Sequence, residues 1–183
     1  MIIARRPRLI GFALAAVAFG LDRIAKALVV GPLALTQEGQ SLYVLPFFNL
    51  TRENNHGVSL SLLQATSDEA RWLLVAGTTL IALVVLVWLV RERRLGEILP
   101  LGLILGGAAS NILDRIRHGY VVDYADLHFG EWRPFLIFNV ADAAISIGVV
   151  IILARALFMR EKPPAPHGPE ANDRQADLPA ENS

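Results

Sequence analysis

The sequence contains no cysteine. That absence excludes a disulfide framework, a thiol nucleophile, a zinc–thiolate site and lipidation of the chain itself on sulfur. Charge is also scarce: Asp, Glu, Lys and Arg make up 19% of 183 residues, where a soluble domain carries about a quarter. No P-loop, no HExxH and no serine nucleophile elbow occurs, and no internal repeat is visible. The formal net charge is zero, an average that hides where each charge sits, and no nucleic-acid partner is expected. What fills the chain instead is apolar. Hydrophobic residues reach 54%, and mean hydropathy is +0.45. A chain this short cannot hide so much apolar surface in one core, so lipid must cover part of it.

A helix needs about 20 mostly apolar residues to cross a bilayer. Four runs meet that standard: about 9–30, 72–90, 98–116 and 135–158. Backbone groups in lipid must bond within their own segment, so these runs are expected to be helices. The first run follows Arg5, Arg6 and Arg8 and contains Ala16-Val17-Ala18, features shared with cleaved leaders. Its apolar pattern resumes past Asp22-Arg23 as far as Val30, which is long enough to span, and it is read as retained. Arginine and lysine crowd the N-terminus, the connection Arg91–Arg94 and the start of the tail at Arg160 and Lys162. By the charge asymmetry of short loops, both termini face the cytoplasm, and the segments 31–70 and 117–134 face outward.

The outer loop 31–70 is too long for a turn. Tyr43–Leu50 reads as a short strand interrupted by Pro46, so a small sheet at the membrane surface is expected. The fold class is therefore an all-α integral membrane protein of four transmembrane helices with a small β-containing outer region. The division is a membrane domain over 1–160 and a disordered cytoplasmic tail over 161–183, rich in Pro, Ala and charge.

Ionisable side chains in or beside membrane spans are costly and are functional candidates by default. On the third span Asn111, Asp114 and Arg115 share a helix face. A purely structural alternative makes Asp114 and Arg115 an interfacial ion pair and Asn111 a packing hydrogen bond. Gly102 and Gly106 stand at GxxxG spacing, which lets another helix approach closely. On the fourth span Asn139, Asp142 and Ser146 share a face, and nothing in that span neutralises Asp142. Asp123 lies just outside the third span, 19 residues before Asp142 and at the same membrane side.

Two carboxylates sharing one site cannot both ionise easily, so one pKa rises. Such a pair can serve as acid and base around a water that attacks an amide, without metal or cysteine. Spacing alone does not select that chemistry, because paired aspartates also serve proton relays. His118, Asp123, Asp126 and His128 could ligate a cation, but their spacing matches no metal pattern; no metal and no cofactor are expected. Two rivals stand beside the enzyme: a small proton-coupled carrier using buried aspartates, and a non-catalytic membrane subunit packing through its glycine-rich third helix.

Three segments then carry a resemblance: Gly107–Arg115, Gly119–Tyr124 and Phe138–Ile145, with Asp22–Lys26 and Asn55-His56-Gly57 in support. In this order the chain resembles lipoprotein signal peptidases (signal peptidase II) over roughly residues 8–160. The resemblance implies an aspartyl endopeptidase with Asp123 and Asp142 as the catalytic pair. Asn55, Gly57, Asn111, Asp114, Arg115 and Asn139 would shape the site or hold substrate. It implies cleavage of prolipoprotein signal peptides just before a diacylglyceryl-modified cysteine, in the bacterial cytoplasmic membrane, with the active site on the outer side. Membrane lipid and a globomycin-type inhibitor are the other implied partners, and a monomer is expected. One departure is visible: the family usually shows Asn-x-Gly-Ala-Ala-Phe, where this chain has Asn55-His56-Gly57-Val58-Ser59-Leu60. The changed residues bear on how this loop meets lipid or peptide.

Overall fold

The computed structural model describes residues 7–57 and 68–158. Val58, Ser59, Leu60 and the tail 161–183 lie outside the described residues. The chain runs α1 (Pro7–Val30), β1 (Ser41–Leu45), β2 (Phe48–Asn55), α2 (Asp68–Arg91), α3 (Leu95–His118), β3 (Val121–Leu127) and α4 (Val140–Phe158). The 24-residue helices are about 36 Å long and the 19-residue α4 about 29 Å, at roughly 1.5 Å per residue. Both lengths suit a hydrocarbon layer of about 30 Å.

Three of the helices, α2, α3 and α4, have the length and apolarity of membrane spans. In α1 every 18-residue stretch holds three charged residues, and Asp22, Arg23 and Lys26 account for most of them. Two of these, Asp22 and Lys26, are buried, whereas Leu21, Ile24 and Leu28 point outward. The remaining outer surface is equally apolar. α2 buries only Val75 and Leu89 and exposes Leu73, Leu80, Ile81 and Val84. A helix apolar all round with so little of it buried in protein is covered by lipid.

α3 is the central helix and packs against the other three. Small residues set how close they come. A Cβ on Gly102 would sit 2.5 Å from the Gly11 carbonyl oxygen of α1, and one on Gly106 would overlap the Ala15 carbonyl oxygen. On the opposite side, a Cβ on Gly107 would lie 2.5 Å from the Ala141 carbonyl oxygen of α4. The spacing read from the sequence thus brings α1 against α3 through backbone contact, which lipid-embedded helices use in place of a hydrophobic driving force.

The connections form an antiparallel sheet in the order β1-β2-β3. Tyr43–Leu50 is a hairpin rather than one interrupted strand: Leu45 pairs with Phe48 across Pro46-Phe47. Proline lacks the N–H a continuing ladder requires, so the chain turns there. β3, whose residues Val121–Asp126 are all buried, pairs with β2 through Glu53↔Asp123 and Asn55↔Val121. Beneath it Val29, Leu35, Tyr124 and Ala125 make a small core against the end of α1. The fourth helix starts later than the apolar run suggests, at Val140 rather than near Phe135. Phe138 instead bonds to Ala125, its N–H donating over 3.1 Å and its carbonyl accepting over 2.7 Å. Asn139 then caps the helix and fixes its start.

Glycine substitutions should separate these contacts. Gly106→Val should lower thermal stability by at least about 1–3 kcal/mol, because α1 must move away. Gly77→Ala, in open space on α2, should be neutral or stabilising by up to about 1 kcal/mol. Thermal unfolding in one detergent checks both.

Candidate active site

Five polar side chains from four elements meet where α1 and α3 end and α4 begins. Asn139 is their centre and is fully buried. Its Oδ1 accepts the Asp142 N–H at 2.8 Å, and the Asp142 Oδ2 accepts the Asn139 N–H at 3.2 Å. This reciprocal pairing is a capping box with amide and carboxylate as its two members. The Asn139 Nδ2 also donates to Asp123 Oδ1 at 2.6 Å. One asparagine therefore starts α4 and bridges the two aspartates.

Each carboxylate has a second amide. Asn55 Nδ2 donates to Asp123 Oδ2 at 3.0 Å, and Asn111 Nδ2 donates to Asp142 Oδ1 at 2.8 Å. Asn111 Oδ1 accepts from Asn139 and from Lys26 Nζ, both at 3.2 Å. Burial pushes the Asp123 carboxyl up to about 7, and the charge of Asp142 adds to the rise; the bonds from Asn55 and Asn139 oppose it. Two carboxyls near enough for one charge to hold a proton on the other can share that proton.

Gly57 and Arg115 fasten the loop after β2 to α3. The Gly57 N–H donates to Asn55 Oδ1 at 3.0 Å, and Arg115 Nη2 donates to the Gly57 carbonyl at 2.9 Å. Asp114 does not bond Arg115. It pairs with Arg23 and, at 2.7 Å, with Lys26, and accepts the Val122 N–H at 3.4 Å. The structural alternative of an Asp114–Arg115 pair thus gives way to two separate contacts, each reaching another element.

The four residues weighed as metal ligands do not converge. His118 lies 3.9 Å from Asp114, and Asp126 pairs with Arg133 at 3.0 Å. Among the described residues no group of three or more His, Asp or Glu side chains is arranged for a metal.

Sequence reading missed how Asp22 and Lys26 act. The Asp22 carboxylate takes Lys26 Nζ at 2.7 Å, the Ser110 hydroxyl at 2.6 Å and the Ala141 N–H at 3.0 Å. A carboxylate on α1 therefore caps the first turn of α4. It also missed Arg71, which donates to the Arg115 and Ile116 carbonyls at the end of α3, at 3.2 and 3.0 Å. Three ionisable residues within five positions of an apolar run were the available signal for the first. Beside Asp142 a cleft of about 650 Å³ opens between Pro134–Phe138 and the α4 residues Ala143, Ile145 and Ser146, with mainly apolar walls.

Comparison with known proteins accords with this arrangement. The family model described as signal peptidase (SPase) II matches residues 14–158. The chain is 52% identical over 160 residues to the lipoprotein signal peptidase of Sphingopyxis alaskensis, covering 87% of this chain and 92% of that one. It is 40% identical over 162 residues to that of Francisella tularensis subsp. mediasiatica, covering 86% and 97%. Two solved structures described as a bacterial membrane enzyme, determined in meso at 2.3 and 1.9 Å, superpose with TM-scores of 0.70 and 0.69. They are 25% and 26% identical and cover 81% of this chain; the chain covers 87% and 93% of them.

The electrostatics give two expectations. Lys26→Met leaves the buried Asp22 with no cation and Asp114 with Arg23 as its close cation, and should cost about 3–5 kcal/mol of stability, measured by thermal unfolding. Asp123 binds its proton more tightly folded than its ordinary 3.8 allows, so its contribution to stability is full below about pH 4 and is lost as pH rises through about 7. Asp123→Asn should flatten that part of the stability–pH curve; an unchanged slope would contradict the assignment.

Proposed function

The chain belongs to the signal peptidase II family, and we propose on that footing that Asp123 and Asp142 are the catalytic pair of an aspartyl endopeptidase acting on prolipoproteins. The observation that carries this reading is the bridge through Asn139, whose side-chain amide donates to the Asp123 carboxyl and whose backbone N–H donates to the Asp142 carboxyl, while each keeps a further amide donor. Asp142, in the ionised form, takes a proton from water as the water attacks the scissile carbonyl. Asp123, in the protonated form, donates to the carbonyl oxygen; as the C–N bond breaks, the proton held by Asp142 passes to the leaving nitrogen and a hydroxyl of the tetrahedral intermediate returns a proton to Asp123. That nitrogen becomes the amino terminus of the mature protein, on a cysteine already carrying diacylglycerol. Asn55, Asn111 and Asn139 orient the two acids, Arg115 ties Gly57, just past the end of β2, to α3, and Asp114 steadies the end of α3.

The apolar cleft beside Asp142 has the chemistry to accept the signal segment or the lipid chains laterally from the bilayer. Each buried methylene contributes about 0.8 kcal/mol, so the lipid can place the scissile bond against the carboxyls. A globomycin-type inhibitor would occupy the same cleft. The charge pattern supports both termini in the cytoplasm and the catalytic pair at the outer surface of the cytoplasmic membrane; the length of the first apolar run supports α1 as a fourth span, the composition of the tail supports its being dispensable beyond about Pro163, and a monomer is expected. The carrier reading is not favoured: in the sequence no Asp, Glu, Lys or Arg interrupts 9–21, 72–90, 98–113 or 143–154.

The test is cleavage of a lipidated prolipoprotein by the purified protein. Asp123→Asn and Asp142→Asn should each lower turnover at least about a hundredfold while the protein stays folded. Near-normal turnover by either would refute the pair. Wild-type turnover should fall as pH rises through about 7, where Asp123 loses its proton. The same prolipoprotein without lipid should be cut far more slowly; equal rates would refute lipid-directed positioning. For orientation, a reporter fused after residue 159 should read cytoplasmic and one inserted near Gln37 external. The reverse result would place the site on the wrong face.

A further inference from the structure

Two clefts share Pro134, Phe135, Leu136 and Ile137 as a wall. One is the apolar cleft beside Asp142. The other is a groove of about 690 Å³ between that wall and the sheet. The side chains it takes from the sheet are Ser41, Asn49, Thr51, Glu53 and Asp126, and all are polar.

The groove leads away from the proposed catalytic pair. Glu53 is in register with Asp123, and Asn55, two residues further along β2, donates to the Asp123 carboxyl. Side chains of a strand alternate between its faces, so Thr51 and Glu53 share the face that carries Asn55. Arg52 turns the other way, to the Leu35 carbonyl and the Tyr120 hydroxyl. From Asn55 to Thr51 the strand covers about 13 Å, at roughly 3.3 Å per residue. Thr51 is in register with Ser41 of β1, which extends the same surface. The far end is braced by its own bonds. The Thr51 hydroxyl donates to Asp126 Oδ2 at 3.2 Å and shares a bond of 2.8 Å with the Ser41 hydroxyl, and Arg133 Nε donates to Asp126 Oδ1 at 3.0 Å. Of the three charged residues in the groove, Asp126 and Arg133 therefore hold each other. Glu53 is exposed, and among the described residues no cation lies within ion-pair distance of it. It is the charge that a chain lying in the groove would meet.

A prolipoprotein has two unlike parts around the cut. Its signal segment and lipid are apolar, and the chain after the lipid-bearing cysteine is bound for water. An apolar cleft and a polar groove that share one wall beside the same pair of carboxyls match those two parts. We propose that the groove is the subsite for the first residues after that cysteine, held extended along β2 as far as Thr51 and Ser41, and that Glu53 makes it favour a cationic side chain over an anionic one. About four residues fit this length. The inference rests on the peptidase reading and adds to it a part of the substrate, beyond lipid and signal segment, that the protein reads.

The experiment is steady-state cleavage by the full purified chain in one detergent, on a set of lipidated substrates. The shortest ends one residue after the cysteine, and the others carry four more residues that are neutral, lysine-bearing or glutamate-bearing. Each KM and kcat is divided by that of the shortest substrate with the same variant, which removes any effect of a substitution on the carboxyl pair itself. The neutral extension should lower KM several-fold with little change in kcat, the mark of binding gained equally in ground and transition states. The lysine-bearing substrate should have a KM about two- to fivefold below the glutamate-bearing one, the size expected of an exposed ion pair. Glu53→Gln should erase that ratio and Glu53→Lys should invert it. Ser41→Lys, further along the groove from Asp123, should shift the ratio in the same direction as Glu53→Lys. Equal KM for the shortest and the extended substrates would overturn the subsite while leaving the peptidase reading in place. A ratio unchanged in Glu53→Lys would overturn the role of Glu53. Cleavage of no substrate by the folded wild type would refute the peptidase reading and the subsite with it.

Discussion

Everything at the functional end of the bundle depends on the contact of Lys26 with two buried carboxylates, Asp22 of its own helix and Asp114 of α3, each at 2.7 Å. Buried ion pairs add little net stability over well-packed apolar groups, because desolvation offsets attraction. What this one supplies is geometry. Asp22 also holds Ser110 on α3 and the first turn of α4 through Ala141, so a single carboxylate joins three helices. Glycines make the joint possible. With a Cβ at Gly102, Gly106 or Gly107, the backbones would stand too far apart for these side chains to meet.

On that frame the two aspartates are held by amides rather than by cations. Asn55, Asn111 and Asn139 orient the carboxyls without adding charge, and the nearby cations Lys26 and Arg115 act on them through space and not by direct bonds. Lys26 acts at one remove, through Asn111. Cations placed in their stead would ionise both carboxyls and leave no proton to donate. Asn139 links fold to proposed chemistry most directly: the residue that begins α4 is also the one that sets Asp142 beside Asp123.

The apolar spans and the close-packing glycines were legible in the sequence, because length, hydropathy and GxxxG spacing act locally along one helix. So was the set of polar residues at the ends of the third and fourth runs, which the structure brings into one hydrogen-bonded group. Their partners were not legible. Arg115 reaches a backbone carbonyl at Gly57, and Asp114 reaches α1, contacts that depend on packing between distant segments. The start of α4 was misplaced because Phe135–Phe138 is as apolar as the helix that follows. Only the pairing with Ala125 and the cap at Asn139 separate them. β3 was not anticipated either: it is buried on both faces and has no alternating pattern to mark it.

The central claim is that near neutral pH one carboxyl of the pair keeps a proton, and that it is Asp123. Infrared spectroscopy of aspartate-labelled protein across a pH titration tests this directly. The account predicts a protonated-carboxyl band that persists to about pH 7, is missing in Asp123→Asn, and shifts to lower pH in Asp142→Asn, where the neighbouring charge is gone. A wild-type protein with no such band above pH 5, or a band unchanged by Asp123→Asn, would contradict it.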